Sequence, residues 1–252
     1  MTEQVSVTGQ GDVILIRLNR PDKKNAMTGA MYGALVETFD AADRDAAGAI
    51  VITGSGGSFM AGNDIADFLA RAERPDDIGA FSFIKRLATL QTPLVAAVEG
   101  VAVGIGTTLL LHCDLVYAAP TAVFRTPFVD LGLVPEAAST LLLPQRVGLA
   151  KASELLMLGE PFDAAEALRL GLVSAIVPAE SLVEHALERA RKLAAKPREA
   201  IMATRRLIRG DRTEVLAAMD REGAEFSKAL RSPAAKAAFS AFLSKAKAPA
   251  AS

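Results

Sequence analysis

The chain has 252 residues, 51% of them hydrophobic, and a formal net charge of −1 at neutral pH. That length is ample for a well-buried core, and the near-neutral charge argues against nucleic acid or an anionic membrane as partner, since both select a basic surface. It leaves room only for a local basic patch that meets a small anion. The single cysteine, Cys113, excludes an internal disulfide framework and suits a reducing compartment. MTEQVSV carries no basic-then-apolar leader, and no apolar run reaches the ~18 residues of a membrane span. A soluble, cytoplasmic protein without nucleic-acid or membrane partners is expected.

The first predicted element is a strand in DVILIRLNRP, where Val13, Ile14, Leu15, Ile16 and Leu18 precede the turn residues 19–22. A helix over 28–44 follows, with Met31, Leu35, Phe39 and Ala42 at helical spacing. AIVITG is a second, buried strand running into a glycine-rich turn. Residues 64–72 read as a short helix, 74–77 as a charged loop, and 79–90 as another helix. Pro93 opens the strand LVAAVEG. GVAVGIGTT is a glycine-rich turn leading into an apolar helix, and strands at 114–118 and in VFRTP come next. After the LGLVP turn, a helix over 136–147 starts with Pro135 as its first residue. Helices over 151–158 and 163–170 and a short strand in SAIVP complete this part. From 181 onward the chain reads as helical, with Pro197, Gly210 and Pro233 as punctuation. The plan is thus an α/β core over 1–195 and a helical region over 196–252, with no fixed-period repeat.

Two glycine turns carry the first chemical signal. In SFMAGNDIADF a turn leads into a helix start, where unpaired N–H groups face outward and Asn63 presents one. An N-cap by Asn63 or Asp64 explains the same pattern. In GVAVGIGTT, Gly104 and Gly106 let the backbone approach a ligand, with Ile105 or Gly106 as donor; close helix packing is the plain reading. Neither turn matches the dinucleotide pattern G-x-G-x-x-G. Two such turns after two buried strands form a more specific constellation, because converging N–H donors stabilise a carbonyl oxygen as it becomes negative.

A proton donor or acceptor must accompany such donors. His112, within LLLHCD, reads as a satisfied core residue, and His185 as an exposed one. No G-x-S-x-G elbow occurs, and two histidines with one cysteine offer no zinc set. Asp114 reads as a structural cap, and Asp130, Asp64 and Glu99 are acids near the turns. Glu136 is the best-placed acid, the sole charge between Asp130 and Arg146. Burial would raise its pKa toward that of a general base, while a helix dipole starting at Pro135 would oppose the rise.

FMAGNDIADF, TPLVAAVEGVAVGIGTTLLLHCDLVYAAPTAVFRTP, LGLVPEAASTLLLPQRVG and GEPFDAAEALRLGLVSAIVP resemble, in order and over nearly the whole chain, the enoyl-CoA hydratase/isomerase (crotonase) superfamily. The resemblance implies an α/β, ClpP-like spiral of ββα units with a C-terminal helical trimerisation region. It also implies a homo-oligomer, a trimer or a dimer of trimers. It implies an acyl-CoA thioester substrate in fatty acid metabolism, β-oxidation included, and no cofactor, coenzyme A being part of the substrate. The thioester oxygen would lie between the N–H groups of Asn63 and Ile105. Lys23 and Lys24 would meet phosphate, Asn25, Ala26 and Met27 would lie along the CoA, and adenine would sit near Ala61, Gly62, Asn63 and Asp64. Phe242 and Lys245 are similar to tail residues that reach a CoA.

Hydratases of the superfamily carry two glutamates, at positions that fall here on Thr108 and Phe128. Members with a P-E step like LGLVPE resemble the peroxisomal-type Δ3,Δ2-enoyl-CoA isomerases, in which the glutamate at the Glu136 position is the single base. The resulting expectation is a 3-enoyl-CoA to 2-enoyl-CoA isomerase, with an apolar pocket including Phe128, Leu133 and Leu142. An enoyl-CoA hydratase using Asp130 or Asp64, and a non-catalytic acyl-CoA binder, are the competing readings. A Clp-type serine protease lacks its Ser/His pair here.

Overall fold

The computed structural model describes residues 3–72 and 79–247; the 74–77 loop and the Lys245 side chain lie outside the described residues. The chain opens with a hairpin, β1 (Val5–Gln10) antiparallel to β2 (Val13–Leu18), with Val5 opposite Leu18. β1 was not an expected strand. It is an edge strand with only Val5 buried, so its sequence shows no sustained apolar alternation. Helix α1 (Gly29–Arg44) starts where the side chain of Thr28 accepts from the Met31 N–H, and it buries Met31, Leu35, Phe39 and Ala42.

The elements that follow are β3 (Ala49–Gly54), α2 (Ile65–Ala72), α3 (Gly79–Thr89), β4 (Leu94–Val98), β5 (Val101–Val103) and α4 (Ile105–Thr108). Beyond α4 a 3₁₀ turn covers Leu109–His112, so the expected apolar helix is split in two. Next come β6 (Leu115–Ala118), β7 (Val123–Arg125), α5 (Ser139–Val147) and α6 (Leu149–Ser153), the last continued by a π-helical turn over Glu154–Leu158. β8 (Phe162–Asp163), α7 (Ala164–Arg169) and β9 (Ala175–Ile176) lead to helices α8 (Ala179–Ala194), α9 (Arg198–Arg209), α10 (Thr213–Leu230) and α11 (Pro233–Lys247).

The strands form two sheets, one in the order β1-β2-β3-β4-β6-β9 and one in the order β5-β7-β8. Successive turns place a strand in the large sheet, β4 or β6, then one in the small sheet, β5 or β7, then a helix. An isolated bridge from Met60 to Ala102 gives the β3 turn the same form. This is the expected spiral of ββα units.

β3 and β4 are buried on both faces, as parallel strands between helical layers are. Ile50, Ile52, Leu94 and Ala96 face the core shared with α1 and α3. Val51, Val95 and Ala97 face Leu182, Ala186 and Ala190 of α8. Val215, Ala218 and Met219 of α10 join the principal core. Phe226 and Leu230 form a third cluster with Phe68, Phe128, Leu133 and Phe239.

Candidate active site

Each of the two glycine turns ends in an amide with no backbone acceptor. Gly62 and Asp64 are tied to Met27, through Met27 N–H to Gly62 O at 2.8 Å and Asp64 N–H to Met27 O at 2.9 Å. Gly104 holds φ 57° at the start of α4, and its N–H donates to Arg125 O at 2.9 Å. Among the described residues, neither the Asn63 nor the Ile105 N–H donates to a backbone acceptor. Both residues line one cleft of about 510 Å³, walled on its apolar side by Phe68, Phe128, Leu133, Phe226 and Phe239. The Asn63 side chain is itself held, its Oδ1 accepting from the Tyr32 hydroxyl at 2.6 Å.

Glu136 is buried, 6% exposed. The Thr108 hydroxyl donates to its Oε1 at 2.5 Å, and Thr108 lies one helical turn after Ile105. Burial first, and then the nearby Glu222 carboxylate, push the Glu136 pKa up to about 8, against the lowering effect of the Thr108 bond. Glu136 also contributes to holding the buried Tyr32 hydroxyl well above its ordinary value, after burial itself.

Glu136 does not begin a helix. Ala137 and Ala138 both adopt left-handed backbone conformations, φ 59° and 54°, and α5 begins only at Ser139. This corrects the expected helix over 136–147 and the dipole expected to oppose the pKa rise. The free N–H groups at the start of α5 are taken by Glu222 of α10: Ala138 N–H to Oε2 at 2.6 Å, and Thr140 N–H and hydroxyl to Oε1 at 2.9 and 2.5 Å. Burial raises the Glu222 pKa as well.

On the other side of the turn, His112 Nε2 lies 2.8 Å from Ala137 O and Nδ1 lies 3.0 Å from Arg212 Nη2. A carbonyl and a guanidinium on those two nitrogens require a neutral ring with its proton on Nε2. Burial, with Arg212 and Arg209 nearby, lowers its pKa to about 3. His112 is thus the satisfied core residue expected of it, and it braces the glutamate turn. His185 is half-buried against Tyr117, with ring centroids 4.6 Å apart, rather than exposed.

The structure brings Ala61, Gly62, Asn63, Ile105, Phe128, Leu133 and Phe242 together on the cleft. Leu142 is not there; it lines a different cavity, which corrects its placement in the acyl pocket. Asn25 and Met27 are buried, so their side chains do not face solvent. Asn25 instead organises its loop, accepting from Arg20 N–H at 2.8 Å and donating to Ser55 O and Ser58 O at 2.9 and 2.6 Å. Lys23 and Lys24 are exposed and Ala26 half-buried.

Asp64 pairs with Arg20 at 2.8 Å and caps α2 through the Ala66 and Asp67 N–H groups, and these contacts lower its pKa against the effect of its partial burial. Asp130 lines the cleft but pairs with Arg125 at 2.9 Å. Asp114 is structural, accepting from Leu94 N–H and from two arginines.

Sequence reasoning missed Tyr32 and Glu222. Tyr32 had a faint signal as one of only two tyrosines. Glu222 stands among charged neighbours in MDREGAEF and had none.

A family model described as enoyl-CoA hydratase/isomerase matches residues 8–250. Enoyl-CoA delta isomerase 2 of Rattus norvegicus is 36% identical over 224 residues, 86% of this chain but 57% of that protein, so the chain spans little more than half of that relative. A probable enoyl-CoA hydratase of Rhizobium meliloti (strain 1021) is 36% identical over 233 residues, covering 90% of this chain and 88% of the relative. The crystal structure of an enoyl-CoA hydratase/isomerase from Pseudoalteromonas atlantica T6c superposes with a TM-score of 0.92 at 40% identity, over 99% of this chain and 100% of that one.

Proposed function

The chain belongs to the enoyl-CoA hydratase/isomerase family, and on that premise we propose that it moves the double bond of a 3-enoyl-CoA to the 2-position, with Glu136 as its single base. The observation that carries this reading is a buried carboxylate, raised to about 8, which shares a small cavity with Glu222 and is bonded to the same short helix that begins with the Ile105 amide. Glu136 takes a proton from C2 of the thioester and the electrons pass into a dienolate. The N–H groups of Asn63 and Ile105 hold the enolate oxygen. The protonated Glu136 then returns its proton at C4, which regenerates the base. No net proton, electron or water is consumed, so the transfer needs no redox group or metal.

Thr108 and Phe128 support this reading over hydration. A threonine hydroxyl cannot serve as an acid at neutral pH, and Phe128 offers no proton at all. Asp64 and Asp130 are each engaged with an arginine. The acyl chain would lie along Phe128, Leu133 and Phe239, with the CoA reaching past Ala61 and Gly62 toward Lys23, Lys24, Phe242 and Lys245. We place the active form in a homo-oligomer of trimeric type. No helix among the described residues is long and apolar enough to cross a membrane. The test is incubation with 3-enoyl- and 2-enoyl-CoA substrates. Conversion of the 3-enoyl thioester to the 2-enoyl isomer supports the proposal, whereas 3-hydroxyacyl-CoA as the main product overturns it.

The base acts only when ionised, so kcat/KM is expected to rise with pH through a midpoint near 8. Two substitutions should move that midpoint in opposite directions. Thr108→Val removes a bond that favours the carboxylate and should raise it; Glu222→Gln removes a like charge and should lower it. The pH–rate profiles of the three proteins check this. Midpoints that do not separate would assign the titration to another group.

A further inference from the structure

A second cavity, of about 460 Å³, shares no lining residue with the substrate cleft. Four arginines line it, Arg146, Arg205, Arg209 and Arg212, and Asp114 is the one carboxylate among its lining residues. Asp114 is already saturated. It accepts from Leu94 N–H at 2.8 Å, from Arg205 Nε at 2.8 and 3.0 Å, and it pairs with Arg209 at 2.9 Å.

The positive charge is therefore far from neutralised. Arg205 is 10% exposed, its Nε and Nη1 are engaged, and its buried Nη2 has no hydrogen-bond partner among the described residues. An unpaired buried guanidinium N–H costs free energy that an anion would recover. Arg146 is exposed at the cavity and makes no hydrogen bond or ion pair among the described residues. Burial, then repulsion from Arg205 and Arg212, holds the Arg209 pKa down to about 10 despite Asp114. His112 beside the cluster is neutral and offsets none of this charge.

Most of the remaining wall is apolar, with Leu111, Leu115, Leu142, Leu193, Ile201 and Ile208, beside the polar Gln145 and Thr204. Ile208 is 80% exposed despite being a large aliphatic side chain. A compact anionic head meeting the guanidinium groups and an aliphatic body lying on these leucines and isoleucines would satisfy both halves. We propose that this cavity binds an amphiphilic anion, an aliphatic carboxylate of medium length, separately from the thioester site. Guanidinium groups pair with carboxylates through charge-assisted, often two-pronged bonds, and the apolar wall supplies the rest of the affinity.

The test is calorimetric titration of the full chain with monomeric decanoate, and with decanol and inorganic phosphate as probes of tail and charge alone. Arg146→Ala is the main variant, because Arg146 has no partner whose loss would disturb the fold, and Arg146→Lys retains the charge. Decanoate should bind the wild type more tightly than either single-feature probe. Its affinity should fall about tenfold or more in Arg146→Ala and less in Arg146→Lys. Unchanged decanoate affinity in Arg146→Ala would place the ligand in the thioester cleft and overturn the proposal. Equal binding of decanol, or phosphate binding as tight as decanoate, would overturn the amphiphile. Absence of any binding, as when a second copy of the chain covers the cavity, would overturn it too.

Discussion

Glu136→Gln is expected to lower isomerase turnover by about 10²–10⁴-fold while making the protein more stable above neutral pH. The two effects have one cause. In the folded protein Glu136 holds its proton up to about pH 8, whereas an ordinary glutamate, and hence the unfolded chain, releases it near 4.5. Between those values the native state binds a proton that the unfolded state does not, so stability falls as pH rises through the window. Glutamine carries no such proton. The variant and the wild type should therefore be similarly stable near pH 4 and diverge by up to a few kcal/mol by pH 8. Denaturant unfolding across that range, beside turnover at each pH, checks both halves. A variant that lost activity but gained no stability at pH 8 would show that Glu136 is not a strained, buried carboxyl.

Gly106→Ala is expected to cost about 10²–10³-fold in kcat, together with roughly 1–3 kcal/mol of stability. A Cβ at Gly106 would lie 2.5 Å from the carbonyl oxygen of Met60 and 3.1 Å from its Cβ. That oxygen cannot swing away, because it accepts from Val103 N–H at 2.9 Å while Met60 N–H donates to Val101 O at 2.9 Å. The start of α4 must move instead, and with it the Ile105 amide and the Thr108 hydroxyl on Glu136. Since the oxyanion is stabilised mainly in the transition state, kcat should fall more than KM rises. Gly33→Ala is the matched control: its Cβ meets nothing within 4 Å, and its place within α1 favours alanine. That variant should keep full activity. Equal losses in the two would remove α4 from the reaction.

The parts of the molecule visible in its sequence are those governed by strong local signals. β3 and β4 showed as unbroken apolar runs because both their faces are covered, and α10 and α11 showed through the punctuation at Gly210 and Pro233. Glu136 was visible because a charge in an apolar run is rare. What stayed hidden depends on distant partners. The left-handed pair Ala137–Ala138 carries no glycine to announce it, and it is held by a carboxylate more than eighty residues away. The proline before Glu136 therefore read as a helix start. The family resemblance placed Asn25 along the CoA, and no local pattern showed that its side-chain amide binds its own loop and the β3 turn. Leu142 has the right hydrophobicity for an acyl pocket, but the face of α5 that carries it turns to the arginine cavity.

The most direct test of a single carboxylate that removes and returns the same proton uses 3-enoyl-CoA deuterated at C2. One base in a buried pocket should carry part of the label from C2 to C4 of the 2-enoyl product, and Glu136→Gln should abolish both the shift and the transfer. In ordinary water, exchange can only dilute the label, so single-turnover product with no deuterium at C4, or labelled 3-hydroxyacyl-CoA in its place, would contradict the single-base account.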